Sequence, residues 1–352
     1  MIDVMTWFDP CILNWMLLAF VLNGLIAYAW HKKFYLKLGL RVYKGIQRIH
    51  LNETPRIGGL IFILSLIGFV SQCHLGEGAV ILKIILISLI PCALVTLKED
   101  LFHNVEPTTR LLSLFFVGWI FRVSFTGPLP NLTEVPLLGK LLLLQGGISS
   151  FYILSLATLA NGMNLIDGVN GLCGAVALVI LSGLLFLSYK TGDTVMLSTI
   201  FSVMLLVIPF MIFNYPFGKI FLGDLGAYSL GLILGMLTII LFGRHPEFSP
   251  YAAVLILIYP VTEIVFTIAR RALFNKSVFK PDTLHLHLKL FHFLRPQPLY
   301  KKVANALVMP VLSSLWIFPL LALSWTYHKP FFVLTSIFLF LLLYTSLRSE
   351  ER

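Results

Sequence analysis

The residues able to do chemistry in this sequence cluster at the ends of long apolar stretches. Glu99 and Asp100 end one stretch, and Asp224 begins another within KIFLGDLG (Lys219 to Gly226). An ionisable group at the centre of a membrane span costs roughly 2.5–3.5 kcal/mol, so each needs a reason. A carboxylate flanked by glycines suits a hard cation such as Mg²⁺, which combines few protein oxygens with phosphate oxygens. The alternative is an ordinary helix-start Asp favoured by the helix dipole.

A third polar segment, NGMNLIDGVNGL (Asn161 to Leu172), repeats its polar residues every three positions. These residues are Asn161, Asn164, Asp167 and Asn170. On a helix, steps of three stay near one face, so the four side chains could line one groove. Gly168 and Gly171 would allow a tight turn or the close approach of a ligand. A helix C-terminus capped by Asn and Gly is the alternative interpretation.

The segment KPDTLHLHLKLFH (Lys280 to His292) contains Asp282, His285 and His287. Phosphate binding is favoured over zinc, because the segment has no cysteine and His-x-His spacing is a weak zinc signal. A basic loop at the membrane interface is the plain alternative.

A smaller basic segment, TPRIGGL (Thr54 to Leu60), places Arg56 shortly after His50. These cations could bind an anionic substrate. Close helix packing through Gly58 and Gly59 is the alternative.

The surrounding elements must be membrane helices. The chain has 352 residues, of which 58% are hydrophobic and only 12% charged, whereas soluble domains carry about 25% charged residues. The apolar runs are continuous rather than alternating, which excludes a transmembrane barrel. The fold class predicted is all-α and polytopic, with about eleven spans. They lie at roughly 11–30, 57–73, 79–97, 111–126, 146–162, 171–189, 195–213, 221–242, 250–269, 303–325 and 331–347.

The basic residues predict the orientation of these spans. Most of the 26 Lys and Arg residues fall in one set of alternate loops, which the positive-inside rule places in the cytoplasm. The N-terminus is then outside and the C-terminus inside. The net charge of +10 follows from this topology, so no nucleic-acid partner is needed. Residues 1–352 are expected to form one transmembrane domain, whose active face consists of the cytoplasmic loops at about 31–56, 98–110, 163–170, 214–220 and 270–302.

The four cysteines lie scattered in or beside apolar runs without a CxxC pair. They are Cys11, Cys73, Cys92 and Cys173. We expect small packing residues rather than a disulfide or a metal site.

Carboxylates for a metal, cations for phosphates and amides for a base suit phosphoryl transfer between a nucleotide-linked substrate and a lipid. From about Arg48 to Leu290 the order of these segments resembles the polyprenyl-phosphate N-acetylhexosamine-1-phosphate transferases. These polytopic enzymes move a sugar-1-phosphate from a UDP-sugar to undecaprenyl or dolichyl phosphate. Together, the segment 161–174 and KIFLGDLG are specific for this family. The pattern typical of its bacterial members continues here with Pro260, Glu263, Arg270, Arg271 and PDTLHLH.

The resemblance implies a role for each matching residue. Asp224 would be the main Mg²⁺ ligand, with Asn164 second and Mn²⁺ as an alternative ion. Asp100 would be the base near the lipid phosphate, accompanied by Glu99, with Asp167 organising the centre. The substrate-binding set is Asn161, Asn164, Asn170 (uracil), Arg110 (lipid phosphate), His285 and His287 (diphosphate or sugar), Arg271, Arg56 and His50. The implied partners are undecaprenyl phosphate, a UDP-N-acetylhexosamine and membrane lipid, in a homodimer or a glycan-assembly complex of the bacterial inner membrane.

Several positions depart from the family pattern. Glu99 and Glu263 replace Asp, Asn170 replaces a frequent Asp, and Leu288 stands where a second His is common. A catalytically weak or dead scaffold is therefore one alternative. The missing triple-His signature disfavours a muramyl-pentapeptide donor. A transporter of anionic metabolites is less favoured, because transporter sites usually lie at the bilayer midplane within repeats.

Overall fold

The apolar stretches form helices, since a bilayer offers the backbone no other hydrogen-bond partner. The computed structural model of the chain describes residues 9–32, 54–132, 135–136, 138–142, 144–277, 282 and 284–349. Within these ranges the regular structure is entirely helical. The helices are α1 (Cys11–His31), α2 (Gly58–Gln72), α3 (Glu77–Phe102), α4 (Pro107–Ser124), α5 (Leu138–Leu142), α6 (Gly147–Ile166), α7 (Leu172–Thr191), α8 (Thr194–Asn214), α9 (Gly223–Arg244), α10 (Pro250–Ile256), α11 (Ile258–Leu273), α12 (Leu286–Leu294), α13 (Ala304–Thr326) and α14 (Pro330–Ser349).

The all-α, multi-pass expectation is confirmed. Each predicted span coincides with one helix or, for the ninth, with the pair α10 and α11. In the part of the chain that is described, seven helices are long and apolar enough to cross a membrane, or eight if that pair is one span. The total of about eleven crossings stays a prediction, and so does the orientation of the spans.

The ninth span is broken rather than continuous. Helices α10 and α11 meet at Leu257 with a bend of 81°. Pro260 favours the break, because a proline inside a continuous helix has no N–H to donate to the carbonyl four residues earlier. Starting a new helix at Ile258 places Pro260 in the first turn, where that donor is not required.

Helix α9 is the central element and is buried from Gly223 to Gly243. It packs against α2, α3, α6 and α7. Glycines allow this closeness: a Cβ at Gly59 would lie 2.3 Å from the Cα of Gly226, and one at Gly231 would lie 2.7 Å from the Cα of Ala160. Small residues let membrane helices approach backbone to backbone. Among the described helices, α9, which carries Asp224 in its first turn, is therefore the most enclosed.

Cys11 and Cys73 form a disulfide, so the prediction of purely apolar packing is wrong for this pair. Their Cα atoms are 5.7 Å apart across 62 residues of sequence. The antiparallel packing of α1 against α2 brings the start of one helix to the end of the other, a pairing that sequence spacing does not reveal. Cys92 and Cys173 are free and buried, as expected.

A carboxylate oxygen of Asp9 lies within 4.8 Å of both disulfide sulfurs. Its carboxylate accepts the N–H of Cys11 and that of His74, both at 2.9 Å. The sulfurs are not available as thiolates, so this cluster joins two helix ends and does not form a metal site.

Candidate active site

Two carboxylates and two guanidinium groups from four chain segments meet at one end of the helical bundle. Arg56 donates to Asp224 Oδ1 at 2.6 Å, and Arg110 donates to Asp224 Oδ2 at 2.9 Å. Arg56 Nε also lies 3.4 Å from Asp100 Oδ1. Both carboxylates are nearly enclosed, with side chains 1% (Asp100) and 9% (Asp224) exposed. We call Arg56, Asp100, Arg110 and Asp224 the ion network.

Asp100 also fixes the start of α9. Its two oxygens accept the backbone N–H groups of Asp224 and Leu225, each at 2.8 Å. The first N–H groups of a helix have no partner within the helix, and a carboxylate there is also favoured by the helix dipole. Gly223 makes the approach possible: its φ is +78°, and a Cβ on it would lie 2.7 Å from Asp100 Oδ2.

The start of α2 is bonded to the residues that precede α9. Phe221 donates to the carbonyl of Pro55 at 2.8 Å, while Gly58 and Gly59 donate to the carbonyls of Phe221 and Leu222 at 3.0 and 2.8 Å. The packing interpretation of TPRIGGL is confirmed, since the glycines pack closely and thereby bring the neighbouring Arg56 into the ion network. Binding of an anionic substrate by Arg56 stays a prediction.

Glu99 points away from Asp100, as expected for adjacent residues that diverge by about 100° on a helix. Its carboxylate accepts the N–H of Val105 at 2.8 Å. His103, with φ +53°, ends α3 just before that bond. In this geometry Glu99 shapes the turn that leads to Arg110.

Two polar residues of the segment 161–172, Asn161 and Asp167, are connected to the ion network. Asn161 accepts a hydrogen bond from Tyr228 at 3.2 Å, and Asn164 lies one turn closer to the end of α6. Asp167 follows the last helical residue. Burial raises the pKa of Asp167 well above its usual 3.8 against the attraction of Arg56, and the carboxylates of Asp224 and Asp100 add to the rise. Asp167 is thus close enough to the ion network to share its field.

Asn170 does not continue that face, so a single helical groove of four side chains is wrong. Helix α6 ends at Ile166, and the chain turns through Gly171, whose φ is +81°. The Asn170 side chain donates to the carbonyl of Pro216 at 2.8 Å, and its N–H donates to Asn305 Oδ1 at 2.8 Å. It lies against the 214–218 turn at the rim of the site.

The histidine segment packs against the end of α6 at Gly168. A Cβ on Gly168 would lie 2.5 Å from His287 Nε2, so the ring packs on the glycine backbone. The rings of His285 and His287 are parallel, with centroids 5.7 Å apart. Burial lowers the pKa of His287 to about 3 despite the nearby Glu263, so His287 is neutral at pH 7.

His285 has a defined tautomer. Its Nδ1 lies 3.5 Å from Glu263 Oε2 and 3.4 Å from the hydroxyl of Thr267. Thr267 already donates its hydrogen to the carbonyl of Glu263 at 2.7 Å. Both neighbours of Nδ1 are then acceptors, so Nδ1 carries a hydrogen, while Nε2 is buried and has no hydrogen-bond partner among the described residues.

Arg271 braces the loop that carries these histidines. It donates to the carbonyl of Ser277, and its Nε lies 3.6 Å from Asp282 Oδ2, which also bonds Arg270. Burial raises the pKa of Asp282, but the N–H of Leu284 and the neighbouring cations outweigh burial and hold the pKa below its usual value. His50 lies outside the described residues.

Sequence reasoning missed Tyr228, Thr267 and Asn305. Tyr228 follows Asp224 by four residues, so helical spacing could have placed both on one face. Thr267 follows Glu263 by the same interval. Asn305 carries no local signal, because only the tertiary fold brings α13 to the turn at Asn170.

The donor set fits a hard divalent cation. Asp224, Asp100 and the amide of Asn164 offer oxygen ligands without thiolates, which favours Mg²⁺ or Mn²⁺ over softer metals. The two guanidinium groups on Asp224 would have to release it, and phosphate oxygens are suitable replacement partners for them. The residues present are thus compatible with a metal bound together with phosphates.

Comparisons with known proteins find a family model and relatives that share part of this sequence. The family model described as "Glycosyl transferase family 4" matches residues 82–242, a range that includes Asp100, Arg110, Asp167 and Asp224. The chain is 25% identical over 263 residues to a probable undecaprenyl-phosphate N-acetylglucosaminyl 1-phosphate transferase of Bacillus subtilis (strain 168), covering 74% of this chain and 72% of that one.

Two further relatives carry names of related activities. An undecaprenyl-phosphate alpha-N-acetylglucosaminyl 1-phosphate transferase of Thermotoga maritima is 27% identical, over 68% of this chain and 69% of the relative. A phospho-N-acetylmuramoyl-pentapeptide-transferase of Latilactobacillus sakei is 26% identical, over 68% and 77%. These similarities agree with the family expected from the residues: residues 82–242 match the model of glycosyl transferase family 4, and the relatives carry names of sugar-1-phosphate transferases.

Proposed function

We propose that this protein transfers an N-acetylhexosamine-1-phosphate from a UDP-sugar to undecaprenyl phosphate. An oxygen of the lipid phosphate attacks the sugar-linked β-phosphorus and forms a new P–O bond. The bond from that phosphorus to the bridging oxygen breaks, and UMP leaves with the bridging oxygen. The product is a lipid-linked sugar that starts a cell-surface glycan.

The ion network carries this proposal. A reaction between two phosphate-bearing substrates needs cations that gather the phosphates and carboxylates that hold a metal. Arg56 and Arg110 lie within 2.9 Å of the Asp224 carboxylate, so cations and metal-binding oxygens are already assembled. The match to relatives that act on undecaprenyl phosphate supports the same reaction.

We assign the residues of the site as follows. Asp224, with Asn164, would hold Mg²⁺, which neutralises charge on the phosphates when bound. Arg110 and Arg56 bind phosphate oxygens, and Asn170 recognises uracil. His285, through Nε2, and His287 contact the diphosphate or the sugar. Asn161 adds a polar contact to the donor, while Arg271 holds the histidine loop.

Asp100 has an orienting role in this scheme. A phosphate monoester has a second pKa near 6, so most of the lipid phosphate is already dianionic at pH 7. Little base catalysis is then needed. Asp100 instead holds the start of α9 and aims Asp224, through the two N–H groups that it accepts.

We place the protein in the bacterial cytoplasmic membrane with this face toward the cytoplasm, where nucleotide sugars are made. Relatives with N-acetylglucosamine names and with muramyl-pentapeptide names are 25% and 26% identical to this chain, so the donor is tested with a panel of UDP-sugars. A homodimer or a glycan-assembly complex remains part of the same proposal.

The first test is UMP release by purified protein with undecaprenyl phosphate, Mg²⁺ and a panel of UDP-N-acetylhexosamines. Release that requires both lipid and metal is expected. Folded protein that releases no UMP with any donor would favour the scaffold alternative, and uptake of a nucleotide sugar into proteoliposomes without UMP release would favour a transporter.

The decisive variants are Asp224→Asn and Asp100→Asn, with Asp193→Asn as the matched control. Asp193 is also a buried Asp paired with an arginine, Arg244, but it lies at the opposite end of α9. We expect kcat to fall by about 10²–10³ or more in the two site variants and to stay near wild type in the control. Equal losses in all three variants would show that the effect is structural.

A further inference from the structure

The end of the C-terminal helix α14 is bonded to the segment that carries the two histidines. Arg348 donates from its guanidinium to the carbonyl of Leu284 at 3.0 Å. In return, Lys289 donates from Nζ to the carbonyl of Arg348 at 3.2 Å. Two hydrogen bonds in opposite directions thus connect α14 to residues 284–289.

Arg348 is itself held in place. Another nitrogen of its guanidinium donates to the hydroxyl of Tyr344 at 2.9 Å, and the group lies 5.7 Å from the centre of the Phe266 ring. Tyr344 is fully buried and packs edge-on against Phe266 with centroids 5.1 Å apart. The guanidinium is therefore fixed between α11 and α14 by a hydrogen bond and by cation–π contact.

The carbonyl that Arg348 holds immediately precedes His285. The N–H that immediately follows, on Leu286, donates to Glu263 Oε1 at 3.3 Å. The backbone is thus held on both sides of His285, by α14 before it and by α11 after it. His287, two residues further on, packs on Gly168 beside Asp167.

We propose that Arg348 is a positioning residue for the nucleotide sugar. By holding the Leu284 carbonyl it fixes the backbone of His285 and, two residues further on, that of His287, whose ring packs on Gly168. This inference rests on the proposed function, in which the two histidines contact the donor substrate. Arg348 lies far outside the matched residues 82–242, so the C-terminal helix becomes part of the machinery that binds the donor.

The test compares Arg348→Gln and Arg348→Lys with the control Arg295→Gln. Arg295 is an exposed cation over the ring of Phe291 at the end of α12. Its replacement removes a similar cation–π contact but leaves the Arg348–Leu284 hydrogen bond in place. Because a displacement of about 1 Å can cost 10²-fold in rate, we expect Arg348→Gln to lower kcat/KM for the UDP-sugar by about 10–100-fold. The KM for undecaprenyl phosphate should stay unchanged, and Arg348→Lys should recover part of the loss.

Two results would overturn the proposal. One is an unchanged kcat/KM for the donor in Arg348→Gln. The other is an equal loss for both substrates together with a lower Tm, which would indicate a merely structural role. Hydrogen exchange separates this inference from the proposed function, since it needs no turnover. In Arg348→Gln the amides of 285–287 should exchange about tenfold faster or more, and unchanged exchange would refute the positioning contact even in an inactive protein.

Discussion

At the scale of single residues, the central feature is that Asp224 is bonded to two arginines. Each of its carboxylate oxygens accepts one guanidinium, from Arg56 and from Arg110. In the proposed function, a bound metal would therefore compete with the arginines for the same oxygens. Phosphates would resolve the competition, because they would bind the guanidinium groups and leave the carboxylate to the metal.

This competition predicts tighter metal binding when one arginine is removed. In Arg110→Gln, Mn²⁺ should bind the substrate-free protein about tenfold more tightly, which corresponds to the loss of one charge-assisted hydrogen bond of about 1.5 kcal/mol. The measurement is the free Mn²⁺ signal in electron paramagnetic resonance. Turnover should nevertheless fall, since a phosphate-binding cation is lost.

The control for this prediction is Arg122→Gln, which removes an arginine from the last turn of the same helix, α4, away from the network. Its Mn²⁺ affinity should equal that of wild type. Equal affinities in Arg110→Gln and wild type would contradict the competition.

At the scale of helices, the end of α9 opposite the ion network is joined to α8. Asp193 accepts the N–H of Met196 at 3.0 Å, as a helix N-cap, and is bonded twice by Arg244 at 2.6 and 3.1 Å. Burial raises the pKa of Asp193, but the hydrogen bonds from Arg244 and Met196 outweigh burial and hold the pKa below its usual 3.8. The ionised form is thus preferred in the folded protein.

Replacing Asp193 by Asn should lower the Tm by a few degrees at pH 7 while leaving turnover intact. Asn still caps a helix, so the change removes mainly the ion pair, worth about 1 kcal/mol at a partly exposed site. A lowered pKa contributes stability above the unfolded value, and this contribution disappears as the pH falls through the folded pKa. The Tm difference between wild type and variant should therefore close below about pH 4. A difference that widens in acid would have the wrong sign.

At the scale of the whole molecule, the disulfide bears on orientation. Cys73 follows α2 whereas Arg56 precedes it, so the disulfide and the ion network are separated by the length of α2, about 22 Å. Disulfides persist in oxidising compartments. The disulfide therefore indicates that the Cys73 end of α2 lies outside the cytoplasm. The distribution of basic residues predicts the same side for this end, so two arguments from different residues agree.

Denatured protein from a normal bacterial strain should therefore react with maleimide-polyethylene glycol at two thiols, those of Cys92 and Cys173. In a strain that lacks periplasmic disulfide oxidation it should react at four, since Cys11 and Cys73 would stay reduced. The gel shift counts the tags, and a Cys92→Ala/Cys173→Ala variant isolates the pair. Two tags in both strains would contradict oxidation on the outside.

The sequence predicted those parts of the molecule that depend on local pattern. The helices follow from apolar runs because each run must satisfy its own backbone, and the convergence of Asp100 with Asp224 followed from counting spans. The disulfide, the turn at Asn170 and the contact of Arg348 with Leu284 escaped prediction. Each depends on which distant helices become neighbours, and a single sequence does not contain that information locally.

The enclosure of α9 separates the site from changes in bilayer thickness. Helices in contact with lipid tilt or shift when the hydrocarbon layer thins or thickens. Every residue in the apolar core of α9 is buried, whereas only 17% of the residues in the apolar cores of α1 and α14 are. The outer helices would absorb such a change first, and Asp224 would feel it only through its neighbours. We expect the ion network to keep its geometry in lipids of different acyl-chain length.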